Sequence, residues 1–403
     1  MSTPATILLL LKRVDCIDGI ATYLETLTTG LAGLGDRVVI VSGPITTPEG
    51  SELRRAAIRA AVLDWIVIPD FRPSRPQPAQ VRRILQAIRE HRVDVVSPQG
   101  LSLLPLAFLV SRLAGKPSVA NYHPSLTGQS PTAMATRRSL RSRLLYRAMA
   151  TLFPASVFIA ISRDIVEFYR ADCGIPQRRI HYQVLGVDTA VYRPPAAAER
   201  AAARAALGID ADTLVCVLPG RLNLVKGHDV VVDALRLLRA TRPELKVVCL
   251  FVGGGDQKEQ IEAYALHDAD DRRSFRFLGF INRAAALREI YWASDVLVLP
   301  SRFEGFPIVV AETMCAGCVP VRTPAGGWRD QIEDGVTGYV IPFNDPPALA
   351  AKIALLAGDG RARMREAATR FATANFSKQA MIAGTSALYR EVGAGLRRAG
   401  TPG

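Results

Sequence analysis

The chain has 403 residues, 49% of them apolar, and a formal net charge of +13. Such a length exceeds one typical domain, and the apolar content is enough to fill two cores. The basic balance calls for an anionic partner, but the few aromatics are not interleaved with basic residues and no groove-reading motif occurs, which excludes nucleic acid.

Thr6–Leu11 reads as a buried strand, followed by a loop, Lys12–Asp18, and by a helix from Gly19 to about Leu34. Arg37–Ser42 and Val62–Ile68 are the next strands, Pro69–Pro78 is a proline-rich loop and Val81–His91 a helix. Strands at Asp94–Ser97 and Ser118–His123 flank a helix at Leu101–Ala114. Arg137–Thr151 and Asp164–Ala171 are helical, and Val157–Ser162 and Ile180–Val184 are strands. Strands alternating with helices predict a parallel sheet. The start, MSTPATILLLLKR, lacks a basic region before its apolar run and reads as a strand, not a signal peptide. No run reaches the roughly 20 apolar residues of a membrane span. The expectation is a cytoplasmic protein whose six cysteines are reduced.

Leu185–Arg200, with its Pro pair, reads as a linker. The alternation then restarts, with strands at Val215–Leu218, Lys246–Val252, Phe275–Leu278, Val296–Pro300 and Gly338–Ile341. Helices are expected at Gly227–Ala240, Gln257–Ala265, Ala284–Ala293, Ile308–Ala316, Pro346–Ala357, Arg361–Ala374 and Ser377–Arg398. The result is two βα halves of similar size, and in such sheets a ligand is expected at the carboxyl ends of the strands.

Val298–Val321 (VLPSRFEGFPIVVAETMCAGCVPV) carries the strongest pattern. A loop with Glu304 runs into a helix whose first turn receives Pro307, and Gly317 stops that helix. The free N–H groups near Ile308 and Val309 suit a phosphate. Glu304 can reach a ligand from the loop, and Glu312 from beneath, two turns on. Earlier in the same half, Gly220-Arg221-Leu222 ends a strand and Lys226-Gly227 opens a helix. Arg221 and Lys226 can clamp a diphosphate, arginine through two oxygens and lysine as a point charge.

The context E-G-F-P…A-E-T-M with glutamates eight apart, together with G-R-L…K-G, resembles the retaining glycosyltransferases of family 4. The resemblance implies the GT-B architecture, two Rossmann-like βαβ domains facing across a cleft. It implies an acceptor-side domain over 1–186, a linker over 187–200, a donor-side domain over 201–376 and a C-terminal helix over 377–403 that crosses back to the first domain. The implied reaction moves a sugar from a nucleoside diphosphate sugar to a hydroxyl of a glycan or lipid-linked acceptor, with retention, in cell-envelope or exopolysaccharide synthesis. The donor is a substrate, and no cofactor is implied. Glu304 and His123, the latter at a strand end in NYHPSL, take the catalytic positions. Arg221, Lys226, Gly19, Ile308 and Val309 take the diphosphate, and Gly305, Phe306, Pro307, Glu312 and Gly254 the donor sugar and nucleotide. Two departures stand out: Asp18 replaces the first of two glycines before the opening helix, and Leu185 stands where the family has Asn. An epimerase of the same fold, or a non-catalytic nucleotide-binding relative, are the alternatives.

Other features read more plainly. Asp210-Ala-Asp212 and Asp268-Ala-Asp270 have the D-x-D form of a metal pair but fall in polar segments, so no metal is expected. Cys315-Ala-Gly-Cys318 lies at a helix end and reads as packing. Gly253-Gly254-Gly255 lacks the G-x-G-x-x-G spacing of a dinucleotide fold. From Val95 to Ser162 there is no Asp or Glu, while Arg137–Thr151 carries five arginines and leucines at helical spacing. A basic amphipathic helix is a membrane-surface element, which makes an anionic membrane a candidate partner. The competing reading is a helix packed on the first domain with its arginines in water.

Overall fold

Short apolar, β-branched runs form two parallel sheets, one in each of two units. The structure is a computed structural model that describes residues 3–16, 19–47, 51–73, 75–122 and 140–399. The first unit comprises the described residues up to 185 together with 378–399, and the second comprises 186–377.

In the first unit, β1 (Thr6–Leu11) lies between β3 (Arg37–Ser42) and β6 (Val95–Pro98), with Leu8 opposite Val39 and Val96. β5 (Asp64–Val67) adds outside β3, while β2 (Val14–Asp15) and β4 (Ile45–Thr46) form a small separate pair. Bridges at Val96–Ser118 and Gln99–Asn121 carry the sheet on to β7 (Val119–Asn121), β8 (Val157–Ala160) and β9 (Ile180–Tyr182). Every side chain of β1 is buried, as expected of a parallel strand covered on both faces. Leu8 and Leu10 pack with Ile84, Ile88, Leu106 and Val110 from the helices Pro78–Glu90 and Leu104–Ala114. Burying each such side chain contributes about 1.5–3 kcal/mol.

The long helix Lys378–Ala399 completes this unit. Asp36, buried in the turn between the helix Gly19–Gly33 and β3, accepts from Ala5 N at 2.8 Å, Ser386 Oγ at 2.5 Å and Arg390 Nε at 2.8 Å. Gly30 leaves room for Ile382, and the Tyr389 hydroxyl meets Ser97 Oγ at 2.9 Å.

The second unit has six parallel strands: β10 (Leu214–Pro219), β11 (Val247–Val252), β12 (Phe275–Phe277), β13 (Val296–Leu299), β14 (Val319–Arg322) and β15 (Tyr339–Val340). Their spatial order is β12-β11-β10-β13-β14-β15, which is 3-2-1-4-5-6 counted within the unit. That is the dinucleotide-fold order, and its switch point lies between β10 and β13. The core joins Cys216, Leu218, Val296, Val298 and Val321 to Val231, Leu235 and Ile353 from the helices His228–Thr241 and Pro346–Leu356.

The structure departs from the sequence reading in several places. The segment 187–200 is part of the second unit, not a free linker: Val187 N donates to Phe376 O at 2.9 Å, Trp292 Nε1 donates to Arg193 O at 2.7 Å, and a helix begins at Ala197. That helix, Ala197–Ala206, docks through arginines. Arg200 Nη2 reaches Asp295 Oδ1 at 2.6 Å, and Arg204 Nη1 reaches Asp295 Oδ2 at 3.3 Å. The helix Glu52–Ala61 has only Ile58 buried and was not expected. The helix after Pro307 begins at Ile308 as expected and ends at Cys315, one residue short of the expected Ala316.

Candidate active site

Two loops meet at the switch point of the second sheet. One leaves β10 through Gly220–Lys226, and the other leaves β13 through Pro300–Pro307. Their strands are neighbours, with Cys216 opposite Val296. Gly227, in the left-handed region at φ +75°, lies flat against the second loop; a Cβ there would sit 2.3 Å from Pro300 O. The glycine run after β11 lies under the first loop. A Cβ on Gly253 would sit 1.9 Å from Gly220 O, and Leu222 N donates to Gly254 O at 2.9 Å. The carbonyl of Gly254 is therefore spent on holding the loop.

The two loops bring Lys226 and Glu304 together. Lys226 Nζ donates to Glu304 Oε1 at 2.8 Å, and the buried Ser301 Oγ donates to the same oxygen at 2.7 Å. The Glu304 side chain is 8% exposed and that of Lys226 is 21% exposed, so the pair lies at the edge of the solvent. Arg221 is half-buried on the first loop. Ile308 and Val309 open their helix half-buried, and no side chain caps it. A lysine and an uncapped helix start beside a carboxylate, with Arg221 on the same loop as the lysine, form a place where a phosphate group and an electron-poor carbon can lie side by side.

The floor of the second loop is polar and buried. Gln331 Nε2 donates to Pro307 O at 2.9 Å, and Arg322 Nη2 donates to Ala325 O at 2.8 Å and Gly326 O at 3.0 Å. Gly305 is half-buried. Phe306, expected at the donor, buries its ring edge-on against Phe376 at 5.7 Å, so only its main chain is available. Glu312 is buried beneath, where Tyr291 Oη donates to its Oε2 at 3.0 Å. Burial first, and then the adjacent Glu312, push the Tyr291 phenol well above its ordinary range, so it stays a donor.

The family description "Glycosyl transferases group 1" matches residues 199–371, which contain this whole site. "Glycosyltransferase Family 4" matches residues 17–191, so the two together take in most of the chain. This chain belongs to glycosyltransferase family 4. It is similar to the D-inositol 3-phosphate glycosyltransferase of Xylanimonas cellulosilytica, at 34% identity over 223 residues, which cover 53% of this chain and 51% of that protein. The chain thus spans about half the length of the curated relatives it matches. Among solved structures, a glycosyltransferase from Rickettsia africae superposes with a TM-score of 0.76 at 18% identity, covering 97% of this chain and 99% of that one. HepE from Anabaena in complex with UDP superposes with a TM-score of 0.76 at 22% identity, covering 96% and 100%. A second HepE structure contains UDP-glucose. The fold is GT-B.

Gly19 opens the helix Gly19–Gly33 in the first unit, exposed and with nothing within 4 Å of an added Cβ. His123, Asp18, Arg137 and Arg138 lie outside the described residues. Asp212 pairs with Lys246 at 2.8 Å, and Asp268 caps the helix Ala269–Ser274, so each D-x-D has a structural task. Cys315 and Cys318 are buried thiols, pushed up to about 11 and about 12 by burial, which suits packing and not redox work. The helix Leu140–Leu152 turns three leucines outward: Leu144, Leu145 and Leu152 are 59%, 59% and 63% exposed. It rests on the first unit through Tyr146, edge-on to Phe168 at 5.3 Å. Arg143 is tied to Asp172 at 3.0 Å, while Arg141 is exposed. No helix among the described residues is long and apolar enough to cross a membrane.

Three contributors to the site escaped the sequence reading: Ser301, which holds Glu304, and the pair Arg302–Asp229 beside Lys226. Ser301 was legible only as its neighbour three residues before Glu304. Arg302 and Asp229 lie 73 positions apart, and no local pattern joins them.

Proposed function

We propose that the protein transfers a sugar from a nucleoside diphosphate sugar to an acceptor hydroxyl, with retention and without a metal ion. The observation that carries this reading is the 2.8 Å Lys226–Glu304 pair beside an uncapped helix start at the sheet's switch point. As the bond from the anomeric carbon to the diphosphate breaks, negative charge collects on the leaving oxygens. Arg221, Lys226 and the N–H groups of Ile308 and Val309 are the groups to stabilise it, already oriented, where water would have to reorganise. Glu304 meets the sugar, where positive charge develops, and Glu312 meets the ribose hydroxyls. The acceptor hydroxyl bonds to the anomeric carbon, and its proton leaves with the diphosphate. The UDP and UDP-glucose named for HepE support a nucleoside diphosphate sugar as donor. The test is a panel of nucleotide sugars with glycan and lipid-linked acceptors in excess chelator, followed by nucleoside diphosphate release and the anomeric configuration of the product. Transfer that inverts the configuration, or that stops with chelator and returns with magnesium or manganese, refutes this reading.

The acceptor is proposed to be lipid-linked, in envelope or exopolysaccharide synthesis, and to be met at the cytoplasmic face of an anionic membrane. The outward leucines of Leu140–Leu152 beside Arg141 and Arg147 support this. Each basic contact contributes about 1 kcal/mol near such a surface. Changing Leu144 and Leu145 to Ser and Arg141 to Glu is expected to release the protein from anionic vesicles. Unchanged co-sedimentation rules the surface out.

A further inference from the structure

Arg302 stands two residues before Glu304, yet it bonds to the other loop and to the first turn of the helix His228–Thr241 that follows that loop. Its main-chain N donates to Val225 O at 2.7 Å. Its guanidinium grips Asp229 in a fork, Nη1 to Oδ1 at 2.9 Å and Nη2 to Oδ2 at 2.5 Å, and Nη1 also donates to Leu224 O. Lys226 lies between Val225 and Asp229, so the arginine holds the lysine's segment on both sides. Gly227 closes the same join by lying flat against Pro300. The fork is planar and bidentate, a geometry that fixes direction as well as distance. It is partly shielded, with side chains 21% and 30% exposed.

We propose that Arg302 and Asp229 are positioning residues of the active site. They strap the loop carrying Lys226 to the loop carrying Glu304 and so set the separation between diphosphate and sugar groups. Neither touches the substrate. The strap works through its two neighbours, and the inference rests on the sugar-transfer reading of the same site. A reacting pair displaced by about 1 Å loses up to about 10²-fold in rate, so a strap of this kind acts on catalysis out of proportion to its effect on folding.

The test compares Arg302→Met, Arg302→Lys and Asp229→Asn with the wild type. Arg193→Met is the control, because it breaks another bidentate pair in the same unit, Arg193–Glu199 at 2.8 and 2.6 Å. In crystals of Arg302→Met, the Lys226 Nζ to Glu304 Oε1 distance is expected to open beyond about 3.5 Å, the limit of a hydrogen bond. In kinetics, Arg302→Met and Asp229→Asn are expected to raise the donor KM and lower kcat, so that kcat/KM falls roughly 10- to 100-fold. Arg302→Lys keeps the charge without the fork and is expected to fall between them and the wild type. The Arg193→Met control keeps wild-type kinetics. A Lys226–Glu304 contact unchanged in the Arg302→Met crystal overturns the strap. So does a folded Arg302→Met enzyme with wild-type kcat/KM. If the wild type transfers no sugar, the functional reading fails, and the crystal distance still decides the strap.

Discussion

Glu304 and Glu312 are both carboxylates on one short stretch, but their surroundings assign them different work. Glu304 shares one oxygen between Lys226 and Ser301 at the edge of the solvent, whereas Glu312 is buried under Tyr291. On the proposed reading, Glu304 is felt mainly in the transition state. Glu304→Gln keeps the size and removes the charge, and is expected to lower kcat roughly 10²-fold or more. Glu312→Gln is expected mainly to raise the donor KM, because it binds ground state and transition state alike. Steady-state kinetics on both variants, with circular dichroism to confirm folding, separates the roles; one shared kinetic signature refutes the assignment. Close by, His228 makes a different prediction. It is fully buried, Nδ1–H donates to Asn223 O at 3.2 Å, and burial lowers its pKa from 6.5 to about 4. Between those values the unfolded chain binds a proton that the folded chain refuses. Stability is therefore complete above about pH 6.5 and is lost as pH falls toward 4, by roughly 3 kcal/mol from this one group. Denaturant unfolding at a series of pH values tests it: His228→Phe is expected to flatten that part of the profile, and an equal slope in both proteins rejects the assignment.

At the scale of elements, what could be read from the sequence depended on how each element is held. Strands such as β1 and β10 are buried along their whole length, so their apolar runs announce them. The helix after Pro307 carries its own start and stop signals, Pro307 and Gly317. The helices Glu52–Ala61 and Ala197–Ala206 have apolar faces made mainly of alanine, with few or no large apolar residues, and both escaped. The second is docked by charge, its buried residue being Arg204. Asp295 accepts from Arg200, Arg204 and Val215 N, with side chains of Asp295 and Arg204 only 4% and 7% exposed. Removing the carboxylate leaves a buried cation without its partner, a loss of about 3–5 kcal/mol. Asp295→Ala is expected to lower the denaturation midpoint by that measure, while Asp212→Ala, at an exposed pair with Lys246, leaves it unchanged. Equal midpoints for the two variants refute the docking role. Of the candidate site, Glu304, Arg221 and Lys226 were legible because each stands at a strand end in its own local motif. The Arg302–Asp229 bridge was not, since tertiary folding alone brings its halves together. The burial of the Phe306 ring was not legible, because a hydrophobic residue in a ligand loop and one in the core look the same in sequence.

At the scale of the whole molecule, the second unit is one continuous stretch among the described residues, while the first draws on both ends of the chain. Helix Lys378–Ala399 supplies Ser386 and Arg390 to Asp36 and Tyr389 to Ser97, both buried in the assembled unit. A chain ending after residue 377 is expected to leave the helix Gly19–Gly33 exposed along the face that holds Ile382. Hydrogen exchange of that helix should rise strongly in the truncated chain, with little change in β10 and β13; uniform exchange across both units contradicts the assignment. The same arrangement has a consequence in time. A ribosome that has finished residue 185 must add roughly 190 more before the closing helix begins. At about 5–20 residues per second that is a wait of about 10–40 s. Through that interval Asp36 has its bond from Ala5 N but not those from Ser386 and Arg390, Ser97 has its bond from Gln99 but not that to Tyr389, and the nascent first unit is the one a chaperone or a protease would meet open.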